Sequence, residues 1–100
     1  MRGESSNMID IQGTPTSEGW TFEVNITQGG SRTHHRVTVR QADYERLTGG
    51  RVTSEALVRD SFRFLLEREP PESILPAFDL LVIEDYFPEY TTIMERRFQA

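Results

Sequence analysis

Two glycines, Gly29 and Gly30, separate two runs in which apolar and polar side chains alternate strictly. Before them, Trp20, Phe22, Val24 and Ile26 alternate with Thr21, Glu23, Asn25 and Thr27; after them, His35, Val37 and Val39 alternate with His34, Arg36, Thr38 and Arg40. Period two sends neighbouring side chains to opposite faces of a strand, and a glycine pair supplies the positive φ angles of a tight turn. The pattern therefore predicts a β-hairpin over 20–28 and 32–40, and its register follows from the turn. With a two-residue turn, Trp20 faces Val39, Phe22 faces Val37 and Val24 faces His35 on one side. On the other side Glu23 meets Arg36, an opposite-charge pair. A shift of one residue would split the apolar rows between the two faces.

After the hairpin the period changes. Residues 41–48 fit a short helix with Tyr44 and Leu47 on one side, closed by Gly49 and Gly50. Thr53 or Ser54 can cap a second helix over 53–69, supported by Glu55–Arg59 and Arg63–Glu67 pairs at i,i+4 and stopped by Pro70 and Pro71. Leu57, Val58, Phe62, Phe64, Leu65 and Leu66 cover about half the circumference of that helix, more than one sheet face needs. It must pack on two sides: the hairpin on one, and the C-terminal segment or another subunit on the other. A turn of helix is expected at 72–75, and a third helix over 77–87, with Pro76 at its first position and Phe78, Leu81, Val82 and Tyr86 on a stripe. The fold class expected is α+β, with the helices on one sheet face. Residues 1–17 read as a flexible lead-in that can hold a short strand at 8–12, residues 18–90 as one small domain, and residues 91–100 as a C-terminal tail or a frayed final helix.

Composition removes several chemistries. The 100 residues contain no Cys, which excludes disulfides, thiolate catalysis, zinc fingers and iron–sulfur clusters. All 11 basic residues are Arg, so no Schiff-base lysine exists. No signal peptide and no apolar run of membrane-spanning length is present, and a cytoplasmic location is expected. The net charge of −5 is uneven: residues 1–31 carry −3, residues 32–68 carry +3 and residues 69–100 carry −5. The basic middle reads either as ion pairing within the fold or as a patch for an anionic partner.

Few residues offer chemistry. His34 and His35 are adjacent on a strand and point to opposite faces, so they cannot chelate one ion. Glu84, Asp85 and Glu89 lack the spacing of a calcium loop and have no accompanying nucleophile, and they read as a solvated acidic face. Tyr86, Phe87 and Tyr90, around Pro88, read either as core or as a partner-binding surface. No catalytic residue, cofactor site or metal site is expected.

Arg36, Thr38 and Arg40, with Arg32, line one hairpin face, and a ribbon of this kind can enter the DNA major groove, where the arginine fork reads guanine. From 34 to 68, about a third of the chain, the sequence resembles the ribbon-helix-helix DNA-binding family. The strand is HRVTVR, the first helix QADYERLTG, and the second TSEALVRDSFRFLLER, with its capping serine and Leu-Val-Arg turn. The resemblance implies a DNA-binding regulator or antitoxin in which Arg36, Thr38 and Arg40 read bases. It also implies that amides near Thr53 and Ser54 hold a phosphate. Residue by residue, the preferred expectation is a small non-enzymatic cytoplasmic protein that binds another protein, as a homodimer or as an accessory subunit of a hetero-complex. The nucleic-acid reading stands second and an enzyme third.

Overall fold

A computed structural model describes residues 8–99, and it has the α+β architecture that the sequence predicts. Strand β1 (Met8–Pro15) leads into the hairpin β2 (Gly19–Gln28) and β3 (Ser31–Arg40). Helices α1 (Gln41–Thr48) and α2 (Ser54–Leu66) follow, then a 3-10 turn at Pro71–Ser73. Strand β4 (Ala77–Asp79), α3 (Val82–Tyr86) and α4 (Tyr90–Gln99) complete the chain. The sheet order is β1-β2-β3-β4; β4 runs parallel to β3 and the other pairs are antiparallel.

The hairpin has the predicted register, with Trp20 opposite Val39, Phe22 opposite Val37, Val24 opposite His35 and Glu23 opposite Arg36. Gly29 and Gly30 have φ of 57° and 88°, as a two-residue turn of this hand requires. The inner face presents Ile11, Phe22, Val24, Ile26, Val37 and Val39, all buried, and the helices cover it. The outer face is polar.

Thr53, rather than Ser54, caps α2: its side chain accepts the Ala56 N–H at 3.1 Å. The helix stops at Leu66, three residues short of the expected end. Of the two expected i,i+4 pairs, Glu55–Arg59 forms at 3.5 Å, whereas Arg63 turns back to Asp60 at 3.4 Å. The broad apolar arc is satisfied within the chain. Phe62 packs toward His35 of β3 and Phe78 of β4, while Phe64 meets Tyr90 of α4 at 5.3 Å and Phe87 at 5.8 Å. No second subunit is needed to cover α2.

Three expectations are corrected. Residues 8–15, assigned to a lead-in, form an edge strand longer than the one proposed at 8–12, because Ile9 and Ile11 sit opposite Ile26 and Val24 and extend the apolar inner face. Residues 1–7 of that lead-in lie outside the described residues. The helix expected over 77–87 is divided: Ala77–Asp79 is strand and only Val82–Tyr86 is helix. Backbone pairing with β3 outweighs the helical stripe there. The Arg36 N–H donates to the Pro76 carbonyl at 2.8 Å, and the Leu80 N–H to the Thr38 carbonyl at 2.9 Å. The segment expected from 91 onward as a tail or a frayed helix is an ordered helix, α4, through Gln99. Tyr90, Met94 and Phe98 recur at i,i+4 and turn toward the core, and Gln99 donates to the Arg46 carbonyl at 2.7 Å.

Candidate functional site

Two surfaces carry the residues singled out in the sequence. The first is the outer face of the hairpin. Strand alternation sends Arg32, His34, Arg36, Thr38 and Arg40 outward, and all are exposed. Glu23 lies opposite Arg36 and meets two side chains of β3. The Arg36 Nε donates to one carboxylate oxygen at 2.9 Å, and the His34 Nε2 meets the other at 2.6 Å. The hydrogen bond from Arg36 holds the Glu23 carboxyl below its usual pKa. Arg40 is similarly placed against Asp79 at 3.4 Å. Much of the positive charge of this face is therefore matched locally. Strand β3 is flanked by β2 on one edge and, at Arg36–Thr38, by β4 on the other. Thr53 and Ser54 do not join this surface. They begin α2, which packs against the opposite face of the sheet, and the Thr53 hydroxyl is occupied by its own helix.

The two histidines separate as alternation requires. His35 is buried between β3 and the chain before β4, with Nδ1 to the Leu75 carbonyl oxygen at 2.8 Å and Nε2 to Thr33 Oγ1 at 2.9 Å. Burial lowers its pKa. The acidic residues 84, 85 and 89 do not converge: Glu84 accepts from the Thr91 hydroxyl at 3.3 Å, Glu89 pairs with Arg68 at 3.5 Å, and Asp85 faces solvent. Among the described residues no group of three His, Asp or Glu side chains is placed to hold a metal ion.

The second surface is a groove of about 340 Å³ where α2, the 3-10 turn, β4 and α3 meet. Its walls come from Leu65 near the end of α2 and Glu69 just after it, from Ile74 and Leu75 after the turn, from Phe78 of β4, and from α3 with the residue that follows it. Prolines 70, 71 and 76 hold the intervening chain extended or tightly turned, so that it stands off α2 instead of continuing it. Two large apolar side chains are left in solvent at this place, Leu75 at 40% and Tyr86 at 64% exposure. Glu69 is the one charged side chain in the wall, and burial raises its pKa.

The three aromatics proposed for partner binding are thus divided. Tyr86 and Phe87 line the groove, with Phe87 half-buried. Tyr90 is core: it is 0% exposed, and its hydroxyl meets Ser61 Oγ at 2.6 Å. Leu75 and Glu69 belong to the groove and were not singled out in the sequence, and Phe78, also in its wall, stood out there only as part of a helical stripe. The only sequence signal was an Ile-Leu pair enclosed by prolines, and the groove exists only because α3 folds back beside α2.

No family model matches this chain, and no curated protein or solved structure matches it significantly. No helix of the described residues is long and apolar enough to cross a membrane.

Proposed function

We propose that this chain is a non-enzymatic protein-interaction module that docks a partner in the groove between α2, β4 and α3. The observation that carries the reading is the side-by-side exposure of Leu75 and Tyr86 on an apolar hollow. Large apolar groups left in water at a concave site gain free energy when a partner covers them, whereas isolated ones scattered over a surface carry no such meaning. Outside the groove, Met8 at the start of β1 is the one large hydrophobic side chain left exposed among the described residues, so a hetero-complex fits better than an obligate homodimer. An accessory subunit acting in the cytoplasm is the form of the proposal, in keeping with a chain that contains no cysteine.

Panning a random peptide library against the full chain tests the reading. Recovered peptides are expected to lose binding to the Leu75→Ser and Tyr86→Ser variants and to keep it with Arg36→Ala. Peptides that bind all three variants alike would place the docking surface elsewhere.

A second reading, a DNA-binding regulator acting through Arg32, Arg36, Thr38 and Arg40, is supported by their shared exposure on one sheet face. It stands second because Glu23 and Asp79 already engage Arg36 and Arg40.

A further inference from the structure

The geometry points to one kind of occupant for the groove. It is an extended segment of a partner protein, with large apolar side chains flanked by Lys or Arg, paired along the free edge of β4. This inference rests on the docking reading above.

The edge comes first. In the ladder with β3, β4 uses the carbonyl of Pro76 and the N–H of Leu80 at its two ends, with Phe78 opposite Val37 between them. Alternation then directs the N–H and C=O groups of Ala77 and Asp79 away from β3, and no backbone partner meets them among the described residues. Such an edge accepts an added strand, with main-chain hydrogen bonds giving affinity and alternate side chains giving specificity. Phe78, between these two residues, lines the groove. Every second side chain on the inner side of an added strand would therefore meet the apolar hollow.

Charge then selects the segment. Residues 69–89, which supply all of the groove except Leu65, contain six acidic residues and no basic one. Asp79, Glu84 and Glu89 have partners at Arg40, Thr91 and Arg68. Glu69, Glu72 and Asp85 have no ion-pair partner among the described residues. The Glu69 carboxyl is partly desolvated in the wall, so a cation beside it recovers what burial takes away. Arg68, the arginine adjacent in sequence, is committed: its guanidinium lies 3.6 Å over the Phe64 ring and reaches Glu89. An acidic or neutral segment would gain nothing from this rim.

The other edge strand, β1, of a second copy does not meet the requirement. In β1, Pro15 has no N–H to give, Arg59 Nη1 already donates to the Ile9 carbonyl at 2.9 Å, and the one charged residue is Asp10.

Four labelled synthetic probes, titrated into the full chain by fluorescence anisotropy, decide the matter. They are Leu/Phe anchors with Arg flanks, the same anchors with Glu flanks, Arg flanks with Ser anchors, and the first peptide N-methylated at alternate amides. The Arg-flanked probe is expected to bind roughly tenfold tighter than the Glu-flanked one at low salt, with the difference shrinking as salt screens it. Serine anchors, N-methylation and the Tyr86→Ser variant should each abolish binding, and Glu69→Gln should weaken it several-fold. Equal binding of the Glu-flanked probe overturns the charge assignment while leaving the groove as a docking site. Equal binding of the N-methylated probe overturns strand pairing, and equal binding of the Ser-anchored probe shows surface electrostatics alone. Absence of binding by every probe overturns the inference, and a dimer lost on Tyr86→Ser in sedimentation assigns the groove to a second copy. Library peptides that depend on Leu75 and Tyr86 but carry no basic residue would sink this inference and keep the docking reading.

Discussion

His35, near the middle of β3, donates from Nδ1 to the carbonyl oxygen of Leu75 at 2.8 Å, and so ties the buried sheet to the chain that walls the groove. A carbonyl can only accept, which fixes the proton on Nδ1 and leaves Nε2 to accept from the Thr33 hydroxyl at 2.9 Å. The neutral ring satisfies both contacts. A second proton would force the Thr33 hydroxyl to reverse, in a place that is 2% exposed.

The stability of the fold should accordingly fall in mild acid. Desolvation lowers the pKa of His35 in the folded state, and the nearby His34 adds to that effect, while the Leu75 carbonyl opposes it. The unfolded chain, with a histidine pKa of about 6.5, then binds more protons than the folded one. Stability is complete above about pH 6.5 and is lost as the pH falls toward the folded value. Urea unfolding at pH 8 and pH 5 should show this loss, and His35→Gln should flatten the difference while lowering stability at pH 8. Parallel pH dependences for the two proteins would assign the loss to other groups.

Tyr90 and Ser61 join α4 to α2. The single Ser61 hydroxyl proton goes to the Leu57 carbonyl at 2.7 Å, so it is the Tyr90 hydroxyl that donates to Ser61 Oγ at 2.6 Å. Burial pushes the phenol pKa far above its usual value, and it stays neutral at any ordinary pH. Tyr90→Phe removes that one bond and leaves Ser61 partnered, which should cost about 1 kcal/mol. Tyr90→Ala also empties the ring's place and should cost about 3–5 kcal/mol. Chemical denaturation measures both. Near-equal losses would show that the hydrogen bond, rather than the packing, holds α4.

The part of the molecule governed by short-range rules could be read from the chain. Gly29-Gly30 sets the register of β2 and β3, Gly49 ends α1 in the left-handed conformation, and Thr53 caps α2. What escaped were elements whose state depends on distant partners. Phe78, Leu81, Val82 and Tyr86 have helical spacing, yet Ala77–Asp79 became strand because β3 offered an unpaired edge forty residues back. The sequence leaves helix α4 open between a tail and a frayed helix despite Tyr90, Met94 and Phe98, since two threonines and two arginines dilute that stripe. The groove combines the ends of four elements, and no local pattern encodes it.

Glycine substitutions should separate turn from corner. At Gly29, φ of 57° suits asparagine at the first turn position, and nothing lies within 4 Å of an added Cβ. Gly29→Asn should leave stability unchanged or raise it by about 0.4–1 kcal/mol, since it restricts the unfolded chain. At Gly19 a Cβ would stand 2.1 Å from the Val39 carbonyl oxygen and 2.8 Å from the Gln41 nitrogen, both backbone atoms. Gly19→Ala should therefore destabilise by more than about 1 kcal/mol, through displacement of the β2–β3 end rather than through φ. In thermal melts the Gly19→Ala midpoint should fall while that of Gly29→Asn should hold or rise.

The arginine face offers a direct comparison of the two functional readings. Arg36 is held by Glu23 at 2.9 Å and Arg40 lies 3.4 Å from Asp79, in a chain of net charge −5. Duplex binding weaker than micromolar is expected near physiological salt, where phosphate contacts are screened. A tighter, sequence-selective complex in which Arg40→Ala costs about 1–3 kcal/mol would promote the DNA-binding reading. Filter binding across a salt series distinguishes these outcomes.

Groove and core make opposite demands on stability. Phe62 is 0% exposed, with its ring 5.6 Å from His35 and 6.1 Å from Phe78, so no neighbour can readily fill the space it would leave. Phe62→Ala should cost about 3–5 kcal/mol. Tyr86 is 64% exposed, and its replacement by Ser removes a ring that the folded chain scarcely buries. That change should move stability by no more than about 0.5 kcal/mol while removing partner binding. Both quantities can be read from one set of variants by urea unfolding and peptide titration. If Tyr86→Ser costs as much as a core truncation, the ring is a structural lid on the groove, and the docking surface must be sought away from α3.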